Sequence, residues 1–286
     1  MSKFELGIFV DPYASARAKE EARRIVALTN CAPLTFPLRG NLPQVAVFAC
    51  GDGPLQKIAQ VMVESNQVIP IALLGGGTND ALYNSLRGND QDGKTQFSFA
   101  DFQNHIKENR PFHPEALIKP GLIGGKAFLR DVGLGPFEQN AGKANKRLNG
   151  WVPKGLRVQT ASVLGLVLTI LSNPDTSVPL DIYTISPWVG RKRVFPKQVQ
   201  HGDQITHAWI ESSTRGELRR ALIRTAAYGQ SGLPSPHVRT EQQTSFTLQS
   251  VPDHFWLHGD IIPNDQTGLT VVKRWDKGIP IVAIDY

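Results

Sequence analysis

Asp52 stands between two glycines, Gly51 and Gly53, where the apolar run Val45–Cys50 gives way to a helix-spaced set, Leu55, Ile58, Ala59 and Met62. One unit further on, the run Val68–Leu74 ends at Gly75-Gly76-Gly77. Thr78, Asn79 and Asp80 then offer caps for a helix carrying Ala81, Leu82 and Leu86. Glycine lets backbone approach an anion closely, and free N–H groups at a helix start favour phosphate. A carboxylate in the same place repels phosphate unless a metal ion or a substrate hydroxyl lies between them. Asp52 therefore points to phosphoryl transfer more than to plain anion binding. A single Gly-Asp-Gly turn is common chain punctuation; two such strand–turn–helix units in succession are far more specific. In one parallel sheet both turns would lie at the carboxyl ends of their strands, where open α/β sheets bind ligands.

The elements that must position these turns follow from the rest of the chain. Val45–Cys50 reads as a buried parallel strand, and Pro54 suits the first helical position, where no N–H is needed. Phe4–Val10 predicts an earlier strand, Asp11-Pro12 a turn, and 16–28 a helix with Arg and Glu outside. Leu34–Leu38 reads as a further strand and Phe97–Ile106 as a short helix. Glu115–Pro120 and Lys126–Val132 read as strands around the Gly121–Gly125 turn. Gly155–Leu171 is a helix with a basic lead-in. Strands follow at Leu180–Ser186, Ile205–Ser212, Thr244–Ser250, Asp253–Leu257, Leu269–Arg274 and Pro280–Asp285, with one helix at Arg215–Tyr228. Short strands separated by turns suggest a β-sandwich. The expected architecture is an α/β domain with a parallel sheet over 1–116 and a β-sandwich domain over 117–286, the last strand being free to return to the first domain. Two similar tripeptides stand out in the second part, His201-Gly202-Asp203 and His258-Gly259-Asp260; on their own they read as hairpin turns.

Composition bounds the partners. The chain has 286 residues with 41% hydrophobic content and a formal net charge of +6. That balance favours anionic partners such as nucleotides, anionic lipid surfaces or nucleic acid. No nucleic-acid motif or aromatic platform supports the last. Cys31 and Cys50 have neither paired nor metal-ligand spacing and read as reduced core thiols of a cytoplasmic protein. The N-terminal apolar run is too short for a signal peptide, and Ala161–Leu171 is too short to span a bilayer, so membrane contact is expected to be peripheral.

In order and spacing, Cys50-Gly51-Asp52-Gly53-Pro54 and Gly76-Gly77-Thr78-Asn79-Asp80 resemble the GGDGT-type and GTGND-type loops of diacylglycerol kinases, sphingosine kinases and bacterial lipid-kinase relatives. The resemblance implies a Rossmann-like domain of the NAD kinase and diacylglycerol kinase type followed by a β-sandwich. It also implies ATP and Mg2+ as cofactors. Asp11 and Ser15 match an NPxSG-type loop that contacts nucleotide. Gly51, Gly53, Gly76 and Gly77 would cradle phosphate, with Thr78, Asn79 and Asp80 fixing the second loop. Asp52 would act through Mg2+ or near the acceptor hydroxyl. His201 and Asp203 match a Mg2+-holding turn, and Asp260 stands where a Glu is the proposed general base. Phe128, Asp131 and Gly133 or Gly135 match loosely the strand that opens the second domain. The helix near 155–171 would lie at the lipid-entry side, with Lys143, Lys146, Arg147, Lys154 and Arg157 against an anionic membrane. Departures accompany the match: Pro54 for Thr, Lys57 for Glu, Gly77 for Thr or Ser, His201 for Asp, Asp260 for Glu, and no loop and helix between Leu38 and Gln44. Three readings stay open. They are a kinase of a diacylglycerol- or sphingoid-like lipid, a catalytically weakened nucleotide- or lipid-binding relative, and an NAD kinase-like enzyme with a soluble acceptor. Oligomeric state is open, a homodimer being one option.

Overall fold

The computed structural model describes residues 6–29, 31–34, 43–76, 82–83, 86, 96–108, 110, 117–172, 180–186, 188–189, 192–193, 203–210, 214, 216–217, 220, 238–248, 253–257, 260–264 and 269–285. The chain divides into two compact units, Met1–Pro120 with Trp275–Tyr286, and Gly121–Arg274.

The first unit begins β1 (Leu6–Val10), α1 (Ala16–Thr29), β2 (Ala32–Pro33), β3 (Val45–Ala49), α2 (Asp52–Ser65) and β4 (Ile71–Leu73). It continues β5 (Gln96–Ser98), α3 (Phe99–Lys107) and β6 (Leu117–Ile118). Its last strand is the chain's last, β19 (Ile279–Asp285). The sheet order is β2-β1-β3-β4-β19-β5 with parallel pairing throughout; β6 lies antiparallel beside β19. The chain end thus inserts between two strands laid down much earlier. β3 reads VAVFA and all five residues are buried, as a parallel strand covered on both faces requires. Val45, Val47 and Ala49 join Ala18, Ala22 and Ile25 of α1 and Phe102 of α3 in one core. Ala46 and Phe48 point to the other face. α2 buries Leu55, Ile58, Ala59 and Met62, the periodic set read from the sequence. It begins at Asp52, two residues before the predicted start. Pro54 therefore sits in the first turn but not at its first position, and it is tolerated because that N–H has no intrahelical acceptor anyway.

The second unit holds β7 (Gly121–Ile123), β8 (Lys126–Phe128), β9 (Asp131–Gly133), α4 (Pro136–Arg147), α5 (Lys154–Ser172) and β10 (Leu180–Thr184). A small hairpin, β11 (Trp188–Val189) and β12 (Lys192–Arg193), follows. Then come β13 (Ile205–Ile210), β14 (Val238–Gln243), β15 (Ser245–Leu248), β16 (His254–Leu257), β17 (Asp260–Pro263) and β18 (Thr270–Arg274). A six-stranded antiparallel sheet runs β14-β13-β10-β9-β16-β17, and a four-stranded one runs β15-β18-β7-β8. Both sheets feed one core: Ile123, Phe128, Phe246 and Val272 from the second, Val132, Tyr183, Ile205 and Phe255 from the first.

Two strands expected to be continuous are broken. Lys126–Val132 divides at Leu129-Arg130 into β8 and β9, which pair in different sheets. Thr244–Ser250 yields only β15, and the polar strand β14 precedes it in the other sheet. Each break is a corner at which the chain changes sheets, as orthogonal or folded sheets require. The expected helix at Arg215–Tyr228 lies largely outside the described residues.

Candidate functional site

Three turns meet at the carboxyl ends of β1, β3 and β4. After β1, the Asp11 N–H donates to Ala49 O at 2.9 Å, binding this turn to the end of β3. Asp11 Oδ1 accepts the Tyr13 N–H at 2.9 Å, and Ser15 Oγ accepts the Ala18 N–H at 3.2 Å as an N-cap for α1. Both residues therefore build the turn. The Ser15 N–H donates to Gly76 O at 3.0 Å, which fastens α1 to the turn after β4. Asp52, half-buried in the first turn of α2, accepts the Leu82 N–H through Oδ1 at 3.2 Å. Its carboxylate thus ties the first glycine turn to the segment after the second. Gly77, Thr78, Asn79 and Asp80 lie outside the described residues.

The glycines divide by their reasons. Gly76 has φ +113°, and a Cβ there would meet Ala18 Cβ at 2.8 Å. At Gly75, with φ +69°, a Cβ would meet the Tyr83 ring at 3.1 Å, and the Tyr83 hydroxyl donates to Ile284 O at 2.8 Å. Internal packing accounts for both. Gly53 is different: a Cβ built on it meets nothing within 4 Å. Neither backbone angle nor packing demands glycine there, although glycine weakens a helix. The N-cap residue of that turn, Gly51, makes no side-chain cap, and the space over Gly53 is open.

In the second unit, the last residue of each tripeptide, Asp203 and Asp260, lies at one end of the six-stranded sheet. Asp203 precedes β13 and Asp260 opens β17; the ends of β10 and β16 and the start of β9 share that edge. Four inter-strand steps separate β13 from β17, about 19 Å across the sheet. Leu257 pairs with Asp260 across a two-residue hairpin loop. The side chain of Asp260 and all of His201 lie outside the description. Asp203 faces the charge of Arg274, a buried guanidinium that donates from Nε to Gln204 O at 3.1 Å. Burial lowers its pKa to about 10, and Asp203 opposes that fall. Asp203 of the expected Mg2+ turn thus has a cation opposite it, and His201, the other residue of that expectation, lies outside the described residues. Next to these strands, partly buried Arg130 pairs with buried Asp131, and Thr184 Oγ1 donates to Arg130 O at 2.9 Å.

Two clusters escaped the sequence reading. Glu138, in the first turn of α4, is fully buried and lies against Gly133; neither carboxylate oxygen has a hydrogen-bond partner among the described residues. Burial holds its pKa well above the carboxylate range; the nearby backbone amides of Glu138 itself and of Asp181, too poorly aligned for a hydrogen bond, pull it back only in part, and the charges of Asp181 and Asp131 add to the rise. The sequence reading places no helix over 136–147, so nothing there marks Glu138. His207 forms the second cluster. Its Nε2 lies 2.8 Å from Asp181 Oδ1 and its Nδ1 3.2 Å from Glu241 Oε1, and its ring stacks between Tyr183 and Trp209. Burial pulls its pKa down, but Asp181 and then Glu241 more than reverse that, so it is raised. These contacts fall on three separate strands, so no local pattern announces them.

Both groups give stability the same sign of pH dependence. A glutamate neutral in the fold is destabilising once the unfolded chain ionises, above about pH 4.5. A histidine with raised pKa stabilises fully below about pH 6.5 and less as pH rises through its folded value. Stability should therefore fall on going from mildly acidic to mildly alkaline pH. Glu138→Gln should flatten the acidic part of that profile and His207→Gln the neutral part, both measured by urea unfolding across pH.

No protein-family model and no curated protein matches the chain. Among solved structures, a putative diacylglycerol kinase from Bacillus anthracis str. Sterne superposes with a TM-score of 0.58, covering 99% of this chain and 98% of that one at 10% identity. A second crystal structure, of a diacylglycerol kinase from the same source, gives 0.55 with the same coverage and identity. The chain has, over nearly its whole length, the diacylglycerol kinase-like fold in a form whose sequence has diverged far from theirs.

Proposed function

We propose that this chain is an ATP-dependent phosphotransferase acting on the hydroxyl of a diacylglycerol- or sphingoid-like lipid. In this reading a Rossmann-like domain binds the nucleotide and a β-sandwich domain receives the acceptor. One observation carries it. Three strand-end turns are fastened to one another, and the glycine that internal structure leaves unexplained, Gly53, stands open at the start of α2. Gly51 and Gly53 would present N–H groups to phosphate. Asp52, positioned by the Leu82 amide, would lie beside the transferring group. Phosphoryl transfer is mostly positioning and charge stabilisation, with a residue to orient the nucleophile. Magnesium would enter with the nucleotide's phosphates and supply charge neutralisation there. Asp260 would serve as base. Such a protein would work in the cytoplasm at the surface of a membrane.

A second reading, of a weakened relative that binds without turnover, is favoured by one feature, the Arg274 guanidinium facing Asp203. Binding and turnover separate the two.

Gly53→Ala tests the nucleotide part. Alanine is the better helix former by roughly 1 kcal/mol, and the structure has room for it, so the variant should melt slightly higher than wild type. Its added methyl should weaken Mg·ATP binding about tenfold or more, since phosphate contact at this turn needs close backbone approach. Thermal shift and calorimetry with Mg·ATP read both effects. A stabilised variant that binds ATP as well as wild type would remove phosphate from the space over Gly53.

A further inference from the structure

The geometry points to His207 as a proton-operated latch on the edge strand β14. β14 ends the six-stranded sheet, and residues 239–243 are exposed. It reads VRTEQQ, so burial of apolar side chains does little to hold it. Side chains tie it to β13 in addition to the backbone ladder. Gln242 Nε2 donates to Thr206 Oγ1 at 3.2 Å. Glu241 lies directly opposite His207 in the ladder, and its Oε1 is 3.2 Å from Nδ1 of the ring. The other ring nitrogen, Nε2, is 2.8 Å from Oδ1 of Asp181 on β10. A carboxylate only accepts, and a neutral imidazole donates from one nitrogen only. Both contacts are therefore hydrogen bonds only while the ring carries two protons. The imidazolium then ties β10, β13 and β14 together.

The two partners decide which bond survives loss of the second proton. The Asp181 side chain is 28% exposed and the Glu241 side chain 43%. The shorter and less hydrated bond, to Asp181, keeps the remaining proton on Nε2. Nδ1 then turns a lone pair towards Glu241, and acceptor faces acceptor. The ring is not free to swing away. It stacks on Tyr183 at 4.4 Å and 2° and on Trp209 at 4.6 Å and 22°, with Phe246 edge-on at 5.6 Å. Glu241 has solvent beside it, so it leaves, and β14 loses its hold on the ring. The groups facing the ring are Asp181 and Tyr183 from β10 and Glu241 from β14, with Arg239 on the same face of that strand. β15 brings the Phe246 ring and no charged side chain. Burial favours the neutral ring, but Asp181 and then Glu241 more than reverse this. The latch is thus closed at mildly acidic pH and opens only as pH rises above the ordinary value for histidine. β14 leads straight into β15, whose Phe246 lies in the core shared by both sheets. The latch therefore controls the corner at which the chain changes sheets. It needs neither nucleotide nor acceptor and does not rest on the lipid-kinase reading.

The test is amide hydrogen exchange of the full chain at about pH 5.5 and about pH 8.5, each rate divided by the intrinsic rate at that pH. Protection of residues 238–243 should fall about tenfold at the higher pH, while β3 in the other unit changes little. Nitrogen NMR of the ring should show both nitrogens protonated at the lower pH and only Nε2 protonated at the higher. Glu241→Gln separates a latch from a histidine that merely packs. A side-chain amide accepts from the charged ring and donates to the neutral one, so this exposed variant should keep β14 protected at both pH values. His207→Phe keeps a ring in the stack but has no nitrogen, so β14 should be weakly protected at both. If His207→Phe does not fold, Glu241→Gln and the wild-type ring spectra decide. Protection of β14 that ignores pH in wild type, a neutral ring protonated on Nδ1, or a pH response that survives in Glu241→Gln would overturn the proposal.

Discussion

Gly133→Ala should destabilise the second unit by about 3 kcal/mol. A Cβ at this position would lie 2.0 Å from Glu138 Cγ and 2.7 Å from Glu138 Cβ. Glu138 is fully buried, and its Cβ is fixed by α4, so the obstructing atoms cannot swing into solvent. The helix must lift from the sheet or the strand must bend. Trp256 opposes Gly133 across the β9–β16 pair and its indole nitrogen is buried, so the neighbouring strand leaves no slack either. The prediction has an internal control. Glu138→Ala removes the Cγ, which makes the worst contact, and leaves the one at 2.7 Å. The double variant should therefore be more stable than the sum of the two single effects implies, by at least about 1 kcal/mol in a urea cycle, as residues in direct contact are expected to couple. Additive effects would mean that Gly133 is not held by Glu138.

Asp52→Asn should lower phosphate transfer by about 10² to 10⁴-fold, the range for removing a positioned acid–base group, while leaving the fold nearly intact. The reason lies in the two jobs of one side chain. Oδ1 accepts the Leu82 N–H, which an asparagine oxygen can also do. What asparagine cannot supply is negative charge in the first turn of α2. The lost helix-end interaction is worth only about 0.3–1 kcal/mol, so stability should change little. Asp52→Leu removes both jobs. It should cost a further 1–3 kcal/mol or so by leaving the Leu82 amide without its acceptor, and it should be equally inactive. Activity that survives in Asp52→Asn but not in Asp52→Leu would reassign Asp52 to holding the two turns together.

The glycine turns were legible in the sequence because each lies where an apolar strand gives way to a helix-spaced apolar set, a purely local signal. Asp11 and Ser15 were legible as a turn and a cap for the same reason, and the structure accounts for them in those terms. What stayed hidden is non-local. Nothing near residues 279–285 says that this strand slots between β4 and β5. Nothing near Leu129 or Thr244 says that the chain changes sheets there, since strand periodicity runs through a corner unmarked. β14 reads VRTEQQ and has no apolar face to announce it. Glu138 carries no signal in the sequence, because only the assembled sheet shows that it is a buried acid with Gly133 beneath it. Arg274 opposite Asp203 lies seventy-one positions further along the chain, beyond the reach of any motif.

The central claim is transfer of phosphate from ATP to a lipid hydroxyl. The most direct measurement supplies the full chain with Mg2+ and γ-labelled ATP, with diacylglycerol, sphingosine or a total lipid extract as acceptor, and follows label into extractable lipid. Labelled lipid formed by wild type and lost in Asp52→Asn is the expected result. Label that never enters lipid, while Mg·ATP still raises the melting temperature, would contradict the claim and leave a nucleotide-binding protein that does not act on lipid.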